Sequence, residues 1–203
     1  MNILIILAHP NPDSFNHAIA HAATDALQEK NHTVVFHDLY AERFDPILTR
    51  EELSKNHDVG DGIRRHCREL AACDGLIVVH PNWWGQQPAI LKGWIDRILI
   101  PDVAYRFRED DSGGGIPIGL LKGKKALILN TSDTPDEREH NVFGDPLENI
   151  WKKCICEFCG ISMYRRRMFS VIVDSTHEQR SAWLEEVKRL VRDMVINNSG
   201  LDA

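Results

Sequence analysis

Gly75-Leu76-Ile77-Val78-Val79-His80-Pro81-Asn82-Trp83-Trp84-Gly85-Gln86-Gln87-Pro88-Ala89-Ile90-Leu91-Lys92-Gly93-Trp94 carries three structural signals in a row. Residues 76–80 begin as a Val/Ile-rich apolar run, the composition of a strand covered on both faces. Pro81 breaks the run and opens a loop with two adjacent tryptophans. From Pro88 onward, Ile90, Leu91, Trp94, Ile95 and Ile98 recur at three- and four-residue spacing, the period of an amphipathic helix. Strand, aromatic loop and helix in that order present a ligand site at the C-terminal end of a strand in an open α/β sheet. Trp83 and Trp84 sit in a loop rather than a core pattern and call for a flat apolar partner. Trp94 and Trp183 have apolar helix neighbours and read as core.

The same alternation continues on both sides. Residues 2–7 read as a first strand, followed by the loop Ala8-His9-Pro10-Asn11-Pro12-Asp13 and a helix over about 15–29, capped by Ser14 or Asp13. A second strand is expected over 33–39. Residues 40–61 are irregular, with a short helix over 49–55 capped by Thr49. A helix over about 63–72 leads into the quoted stretch. Residues 102–119 form a polar excursion with Tyr105, Phe107 and Gly113-Gly114-Gly115. A fourth strand follows over 125–130, a long polar loop over 131–145, and a helix over 146–158 stopped by Gly160. A fifth strand lies within 163–173 and a last helix over about 177–195, with the tail 197–203 fraying. Five β/α units predict one α/β domain over residues 1–203. Its doubly wound parallel sheet is flavodoxin-like, in the order 2-1-3-4-5.

The totals narrow the function classes. With 203 residues and a formal net charge of −6, the chain has no general nucleic-acid footprint. No apolar run approaches the ~20 residues that span a bilayer. The apolar start lacks a basic leader and a cleavage site, so a first buried strand and a cytoplasmic location are expected. The five cysteines do not suggest a disulfide framework, and Cys154, Cys156 and Cys159 share one helix as structural thiols. No metal site is expected. His17 and His21 read as a solvated helix face, and Asp133, Asp136, Glu137 and Glu139 as a solvated acidic cluster.

The loops after the first, third and fourth strands would meet at one sheet edge. The first brings His9, Ser14 and Asn16 to a helix N-terminus, whose amides bind anions. The third offers aromatic faces beside Asn82. The fourth adds the hydroxyls and amides of Thr131 and Ser132, which otherwise serve a turn. No Gly-x-Gly-x-x-Gly, Walker or Gly-x-Ser-x-Gly pattern is present, which counts against a Rossmann dinucleotide site, a P-loop and an α/β-hydrolase. A phosphate site and an aromatic-ring site on one such sheet suggest flavin.

These segments carry a resemblance. Ala8-His9-Pro10 with Ser14-Phe15-Asn16 matches a known family. So do Asp38-Leu39-Tyr40-Ala41 with Phe44-Asp45-Pro46-Ile47, and Pro81 to Trp84 followed by Pro88-Ala89-Ile90-Leu91-Lys92-Gly93-Trp94. Ala104-Tyr105 and Phe158-Cys159-Gly160 complete the set. The chain resembles the NAD(P)H:quinone oxidoreductases, flavodoxin-like flavoproteins that include the DT-diaphorase, drug-modulator and potassium-efflux ancillary groups. The resemblance implies that His9, Ser14, Phe15 and Asn16 hold the flavin phosphate portion. Pro81, Asn82, Trp83 and Trp84 would line the isoalloxazine, and Thr131 and Ser132 would reach its pyrimidine edge. Tyr105 and Phe107 would cover the substrate from a second subunit, which implies a homodimer with shared sites. The implied cofactor is FAD, with FMN as the alternative, and NADPH or NADH reduces it before a quinone takes two electrons in a ping-pong cycle.

The departures from the family are also legible. No glycine follows Thr131-Ser132, no Tyr occurs between Tyr105 and Tyr164, and Phe143 stands where diaphorases carry a His. His140 is the nearby substitute, so Trp84 and His140 are the catalytic candidates. Gly85 replaces a large aromatic and widens the substrate pocket. The alternatives are an azo, nitro or flavin reductase, and a regulatory flavoprotein subunit of a potassium-efflux transporter.

Overall fold

The computed structural model describes residues 1–53, 59–107 and 117–196. Its elements in chain order are β1 (Asn2–Leu7), α1 (Phe15–Gln28), β2 (Thr33–Asp38), α2 (Asp61–Ala72), β3 (Gly75–Pro81), α3 (Ala89–Ile98), β4 (Tyr105–Arg106), β5 (Ile118–Gly119), β6 (Lys125–Thr131), α4 (Asp136–Asn141), α5 (Pro146–Asn149), β7 (Met163–Phe169) and α6 (His177–Ile196). Five strands form one parallel sheet in the order β2-β1-β3-β6-β7. Apart from the small antiparallel pair β4–β5, this is the 2-1-3-4-5 order expected from the alternation of patterns.

The central strands are apolar throughout because both faces are covered. Leu4, Ile6, Leu76, Val78, Ala126 and Ile128 pack with Cys67 and Leu70 of α2 and Leu91, Trp94 and Ile98 of α3. Their neighbours Ile3, Ile5, Leu7, Ile77, Val79, Leu127 and Leu129 pack with Ile19 and Leu27 of α1 and with Trp183, Val187 and Val191 of α6. Adjacent strand residues point to opposite faces, so a single run feeds two cores. No helix among the described residues is long and apolar enough to cross a membrane.

Several expectations are corrected. The loop over 131–145 contains α4, which starts after Pro135. The helix over 146–158 begins as α5 and continues as a π-helical stretch, Ile150–Glu157. The short helix over 49–55 is a 3-10 turn at Glu51–Leu53 in its described part, closed by reciprocal bonds between Thr49 and Glu52. Its remainder, the triple glycine and the tail at 197–203 lie outside the described residues. His17 is buried, not solvated, and so is Glu139. Cys154 is exposed while the other four thiols are buried. Burial pushes Cys156 up to about 12 and Cys159 to about 11, so neither is a thiolate near neutrality.

The segment after β2 is strapped to α3. Arg97 donates to the Asp45 carbonyl at 2.6 Å and to Glu52 Oε1 at 2.9 and 3.0 Å. Pro46 lies directly over Gly93, where a Cβ would come within 2.3 Å of it. The Pro-Ala-Ile-Leu-Lys-Gly-Trp run thus combines a core tryptophan with a groove for this strap. The strap side also holds a histidine cluster. His37 bonds Glu42 at 2.7 Å and Glu69 at 2.6 Å, and His66 Nδ1 accepts the Trp94 indole N–H at 3.1 Å. His37, Glu42 and His66 bring ligand-type atoms within 4.8 Å of one another, a grouping that sequence spacing did not show. The indole bond, however, leaves the His66 proton on Nε2, the nitrogen that would face an ion.

Candidate active site

β3, β6 and β7 end level, with Pro81, Thr131 and Phe169 in register. The loops that leave β1, β3 and β6 therefore emerge side by side. Asn16 Nδ2 donates to Thr131 Oγ1 at 2.9 Å, and the Asn82 amide donates to the Thr131 carbonyl at 2.6 Å. The His9 ring lies 6.1 Å from the Trp83 ring. Thr131 is the junction of the three loops.

Ser14 caps α1, with Oγ 3.3 Å from the His17 amide and 3.0 Å from His17 Nδ1. His17 Nε2 reaches Asp38 at 3.0 Å, and Asp38 also accepts the amides of Tyr40 and Ala41. This chain orients the Ser14 hydroxyl from beneath. The amides of Phe15 and Asn16 stand in the first turn of α1, where a helix has no carbonyl of its own to offer them. No acidic residue occupies that turn, so the end suits an anion. The Phe15 side chain is turned into the core against Phe169 and Trp183, which leaves its backbone to serve the loop. Burial lowers the His9 pKa, so its imidazole is neutral near pH 7.

Trp83 and Gln86 exchange backbone hydrogen bonds at 3.0 Å around a two-residue turn. Both central residues have positive φ, 57° at Trp84 and 71° at Gly85. That is type I′ behaviour, easy for glycine and strained for a bulky side chain. The Trp84 indole is thereby held away from the fold and is fully exposed at 101%. A Cβ on Gly85 would also lie 2.8 Å from Pro146 Cγ. The missing side chain at Gly85 is thus a requirement of the turn as well as a widening of the space beside it.

A cavity of about 490 Å3 opens there, lined by Asn82, Trp84, Gly85, Thr134, Glu139, Phe143 and Pro146. Among the described residues, four buried side-chain polar atoms have no hydrogen-bond partner: Asn16 Oδ1, Asn82 Oδ1, Asn130 Nδ2 and Glu139 Oε1. Such atoms are costly unless something else satisfies them.

Other predicted site residues are placed differently. The Ser132 hydroxyl accepts the Thr134 amide at 3.0 Å, and its own amide donates to Phe169. It is thus engaged in a turn. Tyr105 packs on Phe107 and Phe158 and lines no part of the Trp84 cavity of its own chain. His140 is half-exposed, bonds the Asp136 carbonyl at 2.8 Å and lies 3.4 Å from Asp145. It faces a separate cavity of about 410 Å3 with Arg166 and Glu148. Its pKa is raised, first by that backbone bond. Sequence reasoning missed Glu139 and His17; the polar composition of both segments concealed their burial.

Parallel order, level strand ends and a crevice at the switch point define a flavodoxin-like protein. A family model described as flavodoxin-like fold matches residues 1–191. A Haemophilus influenzae protein named uncharacterized NAD(P)H oxidoreductase is 34% identical over 190 residues, covering 91% of each chain. Mouse ribosyldihydronicotinamide dehydrogenase (quinone) is 30% identical over 222 residues, covering 96% of this chain and 94% of its own. A Streptococcus mutans crystal structure superposes with a TM-score of 0.82 at 33% identity, over 95% of this chain and 100% of its own. The chain belongs to the NAD(P)H:quinone oxidoreductase family, on its flavodoxin-like fold.

Proposed function

We propose that this protein is a flavin-dependent NAD(P)H:quinone oxidoreductase. The carrying observation is the crevice, where the unpartnered oxygens of Asn82 and Glu139 belong to the lining of an open cavity beside an outward-held tryptophan. An isoalloxazine ring brings a flat face for Trp84 and an edge donor for the orphaned Asn82 oxygen, so these residues fit the group. His9, Ser14 and the first-turn amides of α1 would hold its phosphate portion, with Phe15 contributing through its backbone. Pro81, Asn82, Trp83, Trp84 and Thr131 would border the ring. A bound flavin supplies reversible two-electron hydride chemistry between nicotinamide and quinone. FAD is the form proposed, with FMN distinguished by chromatography of the released cofactor.

The chain's own contribution is binding and exclusion of water. Phe143, Pro146 and Trp84 give the cavity apolar walls. The opposite wall is proposed to come from a second copy. Tyr105 and Phe107 are absent from their own chain's cavity, and Trp84, Phe107, Val142, Phe143 and Phe158 are large apolar residues left exposed. A homodimer burying this face completes the site.

Purified protein should carry flavin or take it up. It should oxidise NADH or NADPH only when an acceptor such as menadione is present, with parallel double-reciprocal lines. Protein that binds no flavin overturns the reading. Trp84→Gly suits the turn and should leave stability within about 1 kcal/mol of the parent. It should raise the flavin Kd or the acceptor KM at least tenfold; both unchanged would refute the placement of this loop.

A further inference from the structure

We propose that Glu139 is the general acid that protonates the acceptor during quinone reduction, an assignment that rests on the function proposed above. Glu139 projects from α4 into the wall of the Trp84 cavity. Among the described residues lining that cavity it is the one titratable side chain; the others are Asn82, Trp84, Gly85, Thr134, Phe143 and Pro146. It is 1% exposed, and its Oε1 meets no donor. A buried carboxyl with an oxygen left unpartnered is a costly arrangement for structure alone. The backbone fixes it from both sides: its amide donates to the Pro135 carbonyl and its carbonyl accepts the Asp145 amide, each at 3.0 Å. Asp145 is in turn clamped by Arg166 Nη1 at 2.7 and 2.8 Å. His140, the neighbouring candidate, faces the other cavity.

The chemistry needs such a group. A quinone becomes a hydroquinone by gaining two electrons and two protons. The hydride equivalent that originates in the nicotinamide nucleotide carries both electrons and one proton. The second proton has to reach a quinone oxygen inside this cavity, which the second copy proposed above would close to bulk water. In that step the Glu139 O–H bond breaks as the quinone O–H bond forms. The carboxylate is reprotonated by water when product leaves, so NAD(P)H, one proton and quinone give NAD(P)+ and hydroquinone. A positioned acid of this kind contributes roughly 10²–10⁴-fold.

The test compares acceptors that do and do not take a proton. Glu139→Gln keeps the shape and cannot release a proton. It should bind flavin with the parent's Kd and pass electrons from NAD(P)H to ferricyanide at the parent's rate, because ferricyanide takes electrons alone. Quinone reduction should fall at least 30-fold. Glu139→Ala should show the same split, and added formate should restore part of the quinone rate. Equal loss with both acceptors, loss with neither, or loss of flavin binding would overturn the acid role while leaving the enzyme reading intact. A parent protein that neither binds flavin nor reduces ferricyanide would overturn both.

Discussion

Gly93→Ala should destabilise the protein by about 3 kcal/mol, at the upper end of the overpacking range. The added Cβ would stand 2.3 Å from the Pro46 Cβ and carbonyl oxygen and 2.4 Å from its Cα. Neither side yields cheaply. Gly93 is in the interior of α3, next to fully buried Trp94. The Pro46 loop is held by Arg97 through the Asp45 carbonyl and by the Asp45 carboxylate on the Ile47 amide at 2.9 Å. Melting should fall by on the order of 10 °C for a chain of this size. Gly62→Ala is the matched control, because no atom lies within 4 Å of its added Cβ. It should stabilise α2 by about 0.5–1 kcal/mol. Urea unfolding of both variants decides the matter, and a Gly93→Ala midpoint equal to the parent's would show that the strap moves freely.

Mild acid should weaken the fold well before its carboxylates titrate. His80 is completely buried between a donated bond to the Pro81 carbonyl at 2.8 Å and an accepted bond from the Trp151 indole at 3.0 Å. That arrangement suits the neutral ring, and burial pushes its pKa down to about 4. His66 is pushed to about 4 by burial and by the nearby charges of His37 and Arg65. Both native values lie below the 6.5 of an unfolded histidine, so the unfolded chain binds more protons between pH 6.5 and 4. Stability is therefore complete above pH 6.5 and lost as pH falls toward 4, by about 3 kcal/mol for His80 at 1.36 kcal/mol per unit. His66 adds a loss of the same order. His80→Leu should cost about 2 kcal/mol at pH 7 by orphaning the Trp151 N–H, yet it should flatten the acid slope. Parent and variant curves should then cross at about pH 5, where the parent's own loss from His80 reaches about 2 kcal/mol. A parent whose urea midpoint is constant from pH 7 to 4.5 would refute the neutral buried assignment.

Most of the fold was legible because its main signals are local and repeated. The apolar runs at 3–7, 76–79 and 126–129 are long enough to be strands and too continuous to face water. Ser14 and Gly160 punctuate as caps should. The errors fell where polar composition met tertiary contact. The segment 131–145 reads as a solvated loop, yet α4 forms there and turns Glu139 inward. His17 looks like half of an exposed pair, yet the end of β2 brings Asp38 to it. The stop at Gly160 was clear, whereas the π-helical stretch ahead of it has no sequence signature.

The candidate site divides in the same way. Its three loops follow from strand order, and strand order follows from the β/α alternation and the right-handed crossover. Which side chains in those loops face a common space is a different matter, because it depends on angles and on atoms far apart in the chain. Phe15 turned to the core, Ser132 closed its own turn, and His140 took the far side of α4. By itself the sequence determined the parallel sheet, the edge where a ligand would lie and the tryptophan loop after β3, since each depends on periodicity and on Pro and Gly placement. Only the tertiary structure decided that Trp84 is held outward at positive φ, that Gly85 and Gly93 are spaces required by Pro146 and Pro46, and that Glu139 is a buried carboxyl. Burial and unmet hydrogen bonds are properties of the surroundings, and those surroundings are assembled from residues distant in the chain.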